Sequence, residues 1–271
     1  RVMLALEGSR VPVPRVLHLC TDESVIGSVF YLMEYVEGDV FWDPALPKLD
    51  WRERGMLYRE MCGVLASLHK VDPARVGLLD FGKPGNYFER QISRWTKQYQ
   101  ASETEVIPQM DYLIQWLPNN LPADDGQVAL VHGDYRLDNM LFNPETKRVS
   151  AVLDWELSTL GHPFADLAYQ CMQLRMSHET KPRGLGNIDR RALGIPSERE
   201  YVAMYCDLMG IRKIDHWPFY LAFSFFRFAA ILQGVKKRAI DGNASSQTAL
   251  DYGELVHPIA QLGINAVLDD R

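Results

Sequence analysis

Apolar residues come in short clusters over the first forty positions and in longer series spaced by three and four after them. Residues 1–7 read as the tail of a helix stopped by Gly8. The Val-Pro-Val-Pro run at 11–14 is extended, because proline fixes φ and restricts the residue before it. Residues 16–19 and 29–34 have strand-like content, with a turn around 22–27. Glu37-Gly38 closes this small unit. Asp50 then caps a helix that carries Leu57, Met61, Val64, Leu65 and Leu68 at helical spacing. Further helices are expected near 88–100 and 109–116. Two short apolar runs, 128–131 and 149–153, break the helical pattern and read as buried strands of one small sheet. A helix from about Phe164 comes next, then a basic irregular segment over 178–194. Ser197-Glu-Arg-Glu200 is a capping box that opens another helix. Two long helices, 216–239 and 245–268, finish the chain.

Composition narrows the class without changing this outline. The 271 residues suffice for one large domain or two small ones, and 47% hydrophobic content predicts a sizeable core. Cys20, Cys62, Cys171 and Cys206 are widely separated and form no C-x-x-C, so they read as reduced thiols of a cytoplasmic protein. No secretory signal pattern opens the sequence. The most apolar segment, 219–235, is interrupted by Ser224, Arg227 and Gln233 and is short for a membrane span, so a buried core helix is expected and no membrane partner. A net charge of −6, with no basic stripe interleaved with aromatics, argues against nucleic-acid binding.

Candidate chemistry sits where the two predicted strands end. Val131-His-Gly-Asp-Tyr-Arg-Leu-Asp-Asn139 carries Asp134 and Asn139 five residues apart, and Val152-Leu153 leads into Asp154. Loops held by strands are where catalytic groups tend to lie. A carboxylate base, a neutral oxygen ligand and a second carboxylate match the needs of Mg²⁺-dependent phosphoryl transfer. Asp134 is the candidate base for an acceptor hydroxyl. Asn139 and Asp154 are the candidate metal ligands, because Mg²⁺ takes one or two protein oxygens and completes its octahedron with phosphates and water. His132 is expected to hold the loop by hydrogen bonds, while Asp138 has no evident role. An isolated D-x-x-x-x-N would read as a polar turn and Asp154 as a helix cap. Both strand-loop units in order, with Gly161, Pro163 and Asp166 downstream, favour the catalytic reading. Asp166 itself suits a helix N-terminus on dipole grounds.

These motifs resemble a known family. HGDYRLDN is similar to the catalytic loop of the aminoglycoside phosphotransferase and choline kinase group, within the protein-kinase-like fold. VLDWELSTLGHPFADLAY resembles the same group's second motif. With MEYVEG, the set is similar to kinase-like domains that occur alone in bacteria or fused to certain acyl-CoA dehydrogenases. The likeness runs over nearly the whole chain. It implies an α+β bilobal fold with a β-rich N-lobe and hinge over 1–37 and a mainly helical C-lobe over 38–271. It also implies ATP and Mg²⁺ as cofactors, and a small-molecule alcohol as acceptor. In the hinge, residues 30–38, the backbone of Glu34 and Val36 would meet the adenine edge and Met33 or Tyr35 would pack on it. Asp166 would buttress the catalytic loop by accepting backbone N–H bonds. Gly133 and Trp155-Glu156 stand where protein kinases carry arginine and Phe-Gly, so a small-molecule kinase without a phosphorylation switch is expected.

One part of that pattern is missing. No Gly-rich phosphate-covering loop and no lysine on a following strand are found. The upstream cations Arg1, Arg10 and Arg15 lie in no suitable strand. The expectation is an N-lobe that is incomplete in this sequence. A reduced, non-catalytic nucleotide-binding protein is the alternative, and the intact catalytic loop speaks against it.

Charge bears on the acceptor. Residues 167–271 hold 13 Lys and Arg against 11 Asp and Glu, a balance of +2, whereas residues 1–166 hold 16 against 24, a balance of −8. A site for polycationic aminoglycosides should be lined with carboxylates. The segment after the second motif instead offers Arg175, Lys181, Arg183, Arg190 and Arg191. It reads either as a solvated basic loop or as a site for an anionic acceptor, such as a hydroxy acid or hydroxyacyl-CoA, with Arg183, Arg190 and Arg191 as its candidates. An aminoglycoside acceptor is the alternative. The pattern leaves oligomeric state open.

Overall fold

The computed structural model describes residues 1–83, 85–242 and 249–269. They fall into two compact units. The first joins residues 1–83, 129–166 and 189–212; the second joins 84–128, 167–188 and 213–271.

The first unit opens on the short helix α1 (Val2–Leu6), which buries Val2 and Leu6 before Gly8 turns the chain at positive φ. Strands β1 (Val16–Cys20) and β2 (Phe30–Met33) form an antiparallel ribbon with Leu19 opposite Tyr31. Asp50 caps α2 (Trp51–His69) as expected, and the structure adds a full capping box with Glu53. α2 buries Leu57, Met61, Val64, Leu65 and Leu68 and packs on α7 (Glu198–Met209), whose own capping box is Ser197 with Glu200.

The small sheet differs from expectation. The runs near 128–131 and 149–153 do form strands, β3 (Ala129–Val131) and β5 (Val149–Val152), but they do not pair with each other. β3 pairs with β6 (Thr159–Gly161), and β5 pairs with β4 (Met140–Phe142), both antiparallel. The reason is local. Asn143 accepts from the amides of Glu145 and Thr146 and donates its own amide to the Arg148 carbonyl, which folds 140–152 back on itself as a hairpin. The expected boundary between residues 37 and 38 falls inside the first unit. Asp39 exchanges two backbone bonds with Phe142, and Val152 donates to the Pro12 carbonyl, so the leading segment is pinned to the hairpin.

The second unit is built on α8 (Trp217–Ile240), with α3 (Tyr87–Ser102), α4 (Pro108–Asn119) and α10 (Val256–Leu268) against it. α8 is apolar on nearly every face, as a helix enclosed by others must be. Its 24 residues are long and apolar enough to cross a membrane, which corrects the expectation from segment length. Burial decides its role: 83% of its apolar window is enclosed by the protein. Phe88, Phe219 and Phe223 meet edge to face around its first turns. The final helix expected over 245–268 begins outside the described residues. Within them it is divided into α9 (Ala249–Gly253) and α10, because Glu254 and Leu255 donate three residues back and tighten the turn at Gly253, which lies against Lys236. Between the two units in sequence, α5 (Phe164–Met172) starts close to Phe164 as expected, and the basic irregular segment contains one short helix, α6 (Arg190–Leu193), capped by Asp189.

Candidate active site

Asp134, Asn139 and Asp154 come together through one hairpin. Met140 opposes Val152 in the β4–β5 register, and the Leu153 amide donates to the Asn139 carbonyl at 2.9 Å. Asn139 therefore faces Leu153 across the open end of the hairpin, with Asp154 next along the chain. A 3-10 turn over Leu137–Asn139 swings Asn139 back toward Asp134. Its Nδ2 donates to the Asp134 carbonyl and to Asp134 Oδ2, both at 2.9 Å. This leaves Asn139 Oδ1 as the side-chain atom that could meet a cation. Asp154 is exposed and has left-handed backbone at φ 63°, ψ 59°, a conformation tolerated by aspartate more than by most residues. The next residue anchors it there: Trp155 is buried and its Nε1 donates to the Val152 carbonyl at 2.9 Å.

The loop that carries Asp134 is fastened from below. The Asp134 amide donates to His132 Nδ1 at 3.2 Å, so that nitrogen is unprotonated and His132 Nε2 is the one that donates, at 2.8 Å, to the Leu153 carbonyl. His132 is thus a brace between the two strand-loop units. Gly133 has φ +86°, and a Cβ there would stand 2.5 Å from the Leu157 carbonyl oxygen, so only glycine fits. Asp166 accepts from the amides of His132 at 2.7 Å and Gly133 at 2.9 Å, the buttressing role expected of it. Tyr135 is fully buried, with its hydroxyl donating to the Met61 carbonyl.

Three supporting residues were not legible in the sequence. His69, at the end of α2, places Nε2 3.3 Å from Asp166 Oδ2 and Nδ1 2.6 Å from the Tyr205 hydroxyl. With Asp166 ionised, the consistent tautomer has Tyr205 donating to His69 and His69 donating to Asp166. Burial raises the pKa of Asp166, but the hydrogen bond from His69, electrostatic attraction to the His69 and His132 imidazoles and the hydrogen bond from the His132 amide outweigh it and hold the carboxyl below its ordinary value. Burial pushes the Tyr205 phenol far up, which keeps it a donor. Arg136 is the third. It bonds Asp138 at 2.6 Å and lies 3.6 Å from Asp134 Oδ1. Asp138 thereby orients a cation beside the candidate base, although burial raises its own pKa. A histidine late on an amphipathic helix, and a tyrosine 136 residues further on, carry no local signal of such a chain.

The other candidates divide between the units. Glu34 donates its amide to the Arg15 carbonyl and accepts the Arg15 amide on Oε1 at 2.8 Å. Among the described residues, the Glu34 carbonyl and the Val36 amide make no hydrogen bond, which suits a segment that meets a ligand edge. Met33 and Tyr35 are exposed, at 42% and 89%. Arg190 and Arg191 lie on α6, where the Arg191 carbonyl accepts from Trp51 Nε1, and their charges act on Glu200. Arg183 belongs to the other unit, so the three arginines form no cluster within one unit. Among the described residues no group of three or more His, Cys, Asp or Glu could hold a metal. One amide oxygen and one carboxylate do fit Mg²⁺, which relies on phosphates and water for the rest of its shell.

A family model described as the phosphotransferase enzyme family matches residues 1–203. The chain belongs to the phosphotransferase enzyme family. Mouse acyl-CoA dehydrogenase family member 10 is 53% identical over 263 residues, which span 97% of this chain and 24% of that protein. The chain thus spans about a quarter of that relative's length. The aminoglycoside phosphotransferase-like crystal structure from Ralstonia eutropha JMP134 superposes with a TM-score of 0.93 at 52% identity, covering 99% of this chain and 82% of its own. Aminoglycoside phosphotransferase APH(4)-Ia, in ternary complex with ADP and hygromycin B, shares the fold with a TM-score of 0.65 at 14% identity, over 98% of this chain and 81% of its own. The fold of this chain is accordingly the α+β protein-kinase-like one that its motifs resemble.

Proposed function

We propose that this phosphotransferase uses ATP and Mg²⁺ to phosphorylate a hydroxyl of a small anionic molecule, such as a hydroxy acid or hydroxyacyl-CoA. The observation that carries the reading is the double use of Asn139. Its amide nitrogen orients Asp134, while its backbone carbonyl accepts from Leu153, the residue before Asp154. The catalytic base and the metal ligands are therefore parts of one rigid framework.

Asp134 accepts the proton of the acceptor hydroxyl as its oxygen attacks the γ-phosphorus, and ADP departs with the electron pair of the broken P–O bond. Asn139 keeps the Asp134 carboxylate aimed, and Arg136 sets a positive charge beside it. Asn139 Oδ1 and Asp154 would hold Mg²⁺, which supplies charge neutralisation on the phosphates when bound. The Glu34 carbonyl and Val36 amide would read the adenine edge, with Met33 beside it, in a hinge that ends the N-lobe over 1–37 and opens the C-lobe over 38–271. An anionic acceptor is supported by the basic balance of residues 167–271 and by kinship with an acyl-CoA dehydrogenase family member. Four free cysteines, three of them buried, suit a reducing, cytoplasmic setting.

The test is an ATP-consumption screen with three classes of acceptor: hydroxy acids, hydroxyacyl-CoAs and aminoglycosides. The proposal expects turnover with an anionic hydroxyl, and loss of it in Asp134→Asn. Efficient turnover of aminoglycosides alone would overturn the acceptor class. Nucleotide binding without turnover of any acceptor would overturn the enzymatic reading.

A further inference from the structure

One buried cation in the second unit has no acid to answer it. Arg227 lies midway along α8 and is 7% exposed. Its guanidinium carbon is 5.4 Å from the ring centroid of Trp95 on α3 and 5.1 Å from that of Tyr169 on α5. Both contacts fall within the range of cation–π attraction. Among the described residues Arg227 makes no hydrogen bond and no ion pair. Its nitrogens are also not among the polar atoms sealed from solvent without a partner, so the exposure it keeps lies at the guanidinium. On α5, the residue after Tyr169 is a second unanswered group. Gln170 is 1% exposed, and neither its amide oxygen nor its amide nitrogen has a partner.

Physical chemistry makes this arrangement costly. Arginine is rarely buried without an anion, and an unpaired buried charge is a large penalty. The two rings occupy π contacts with the guanidinium but accept none of its N–H bonds. Those donors are coplanar and fork-shaped, the geometry that carboxylates and phosphates match with two parallel hydrogen bonds. Partial burial raises the worth of such bonds, because the surroundings are less polar than water. A cationic ligand would be repelled by the same group.

We infer that Arg227, walled by Trp95 and Tyr169, is a binding site for an oxyanion, a carboxylate or a phosphate. The inference goes beyond the proposed function and stands on the second unit alone. The sequence context of Arg227 shows only an interruption in an apolar run.

The test uses the whole chain and four probes: 3-hydroxybutyrate, glycerol 3-phosphate, inorganic phosphate, and neutral butane-1,3-diol. Binding to wild type, Arg227→Met and Arg227→Lys is followed by calorimetry or saturation-transfer NMR, alongside Tm and Mg²⁺-ATP affinity. Wild type should bind at least one oxyanion and not the diol; the preference between 3-hydroxybutyrate and the two phosphates tells which group the site takes. Arg227→Met should weaken that binding by about 10- to 100-fold, as expected for a lost charge-assisted pair. Arg227→Lys should fall between, since it keeps charge but not the fork. Tm of Arg227→Met should hold or rise, because an apolar chain replaces an unpaired cation, and Mg²⁺-ATP affinity should not change. The inference is overturned if no oxyanion binds wild type, if the diol binds as well as 3-hydroxybutyrate, or if both variants lose Tm while keeping oxyanion affinity. Failure of the two readings is separable. Arg227-dependent oxyanion binding without phosphate transfer would sink the kinase reading alone. Phosphate transfer by a protein whose oxyanion binding is equal in wild type and Arg227→Met would sink this site alone.

Discussion

Asp134 and Asn139 illustrate how single side chains divide labour. Asn139 gives its nitrogen to Asp134 and, in the proposed function, its oxygen to a cation, so the two substitutions should fail differently. Asp134→Asn preserves shape but cannot take a proton, and turnover should drop by about 10²–10⁴ with nucleotide affinity little changed. Equal turnover of wild type and variant on a true acceptor would remove Asp134 from the role of base. Asp154→Ala should abolish the tightening of nucleotide binding by Mg²⁺, whereas Asn139→Ala should weaken it less. Calorimetry with and without Mg²⁺ decides, and an undiminished Mg²⁺ effect in Asp154→Ala would refute the ligand assignment.

At the scale of elements, the catalytic loop is held by helices that contribute no chemistry. α2 supplies His69, α5 supplies Asp166, and α7 supplies Tyr205, and their hydrogen bonds end on the amides of His132 and Gly133. Asp166→Asn should therefore destabilise the protein by about 3 kcal/mol or more, since a buried charge network loses its centre. The pH dependence has a definite sign. The folded-state pKa of Asp166 lies below its ordinary value, so its contribution is complete above the unfolded value of about 4 and is lost as pH falls through the folded one. Urea unfolding at descending pH should show a flatter acid limb for Asp166→Asn than for wild type below about pH 4. Parallel acid limbs would mean that Asp166 does not titrate in this way. Elements also mark where pattern reading works. The Asp50 cap of α2 and the capping box of α7 are local and appear as expected. β6 is missed because Thr159-Leu160-Gly161 is three residues long and takes its strand character only from pairing with β3.

For the molecule as a whole, exposed and buried positive charges predict different salt behaviour toward anionic ligands. Arg183 and Arg191 are exposed and Arg190 half-buried, so their pull is screened over about 8–10 Å at physiological ionic strength. Reversing all three to Glu should raise KM for an anionic alcohol, leave KM for ATP nearly unchanged, and lose its effect as salt rises. Substitution at buried Arg227 should cost affinity at every salt concentration. Steady-state kinetics across a salt series separates the two. A triple variant that treats anionic alcohols as wild type does would leave the surface arginines with no part in recognition.

Features that depend on neighbours along the chain were readable from the residues alone: helix starts, the strand-loop units that carry Asp134 and Asp154, and a family identified from contiguous motifs. These are short-range matters of capping, periodicity and turn chemistry. The same reading ranked the arginines by local charge density, and chose exposed ones. Folding in three dimensions was needed to pair β3 with β6, close the Tyr205–His69–Asp166 chain, and distinguish Arg227. Each of these depends on what lies opposite a residue after folding. A charge is expensive when its surroundings withhold an anion, and those surroundings come from three helices distant in sequence.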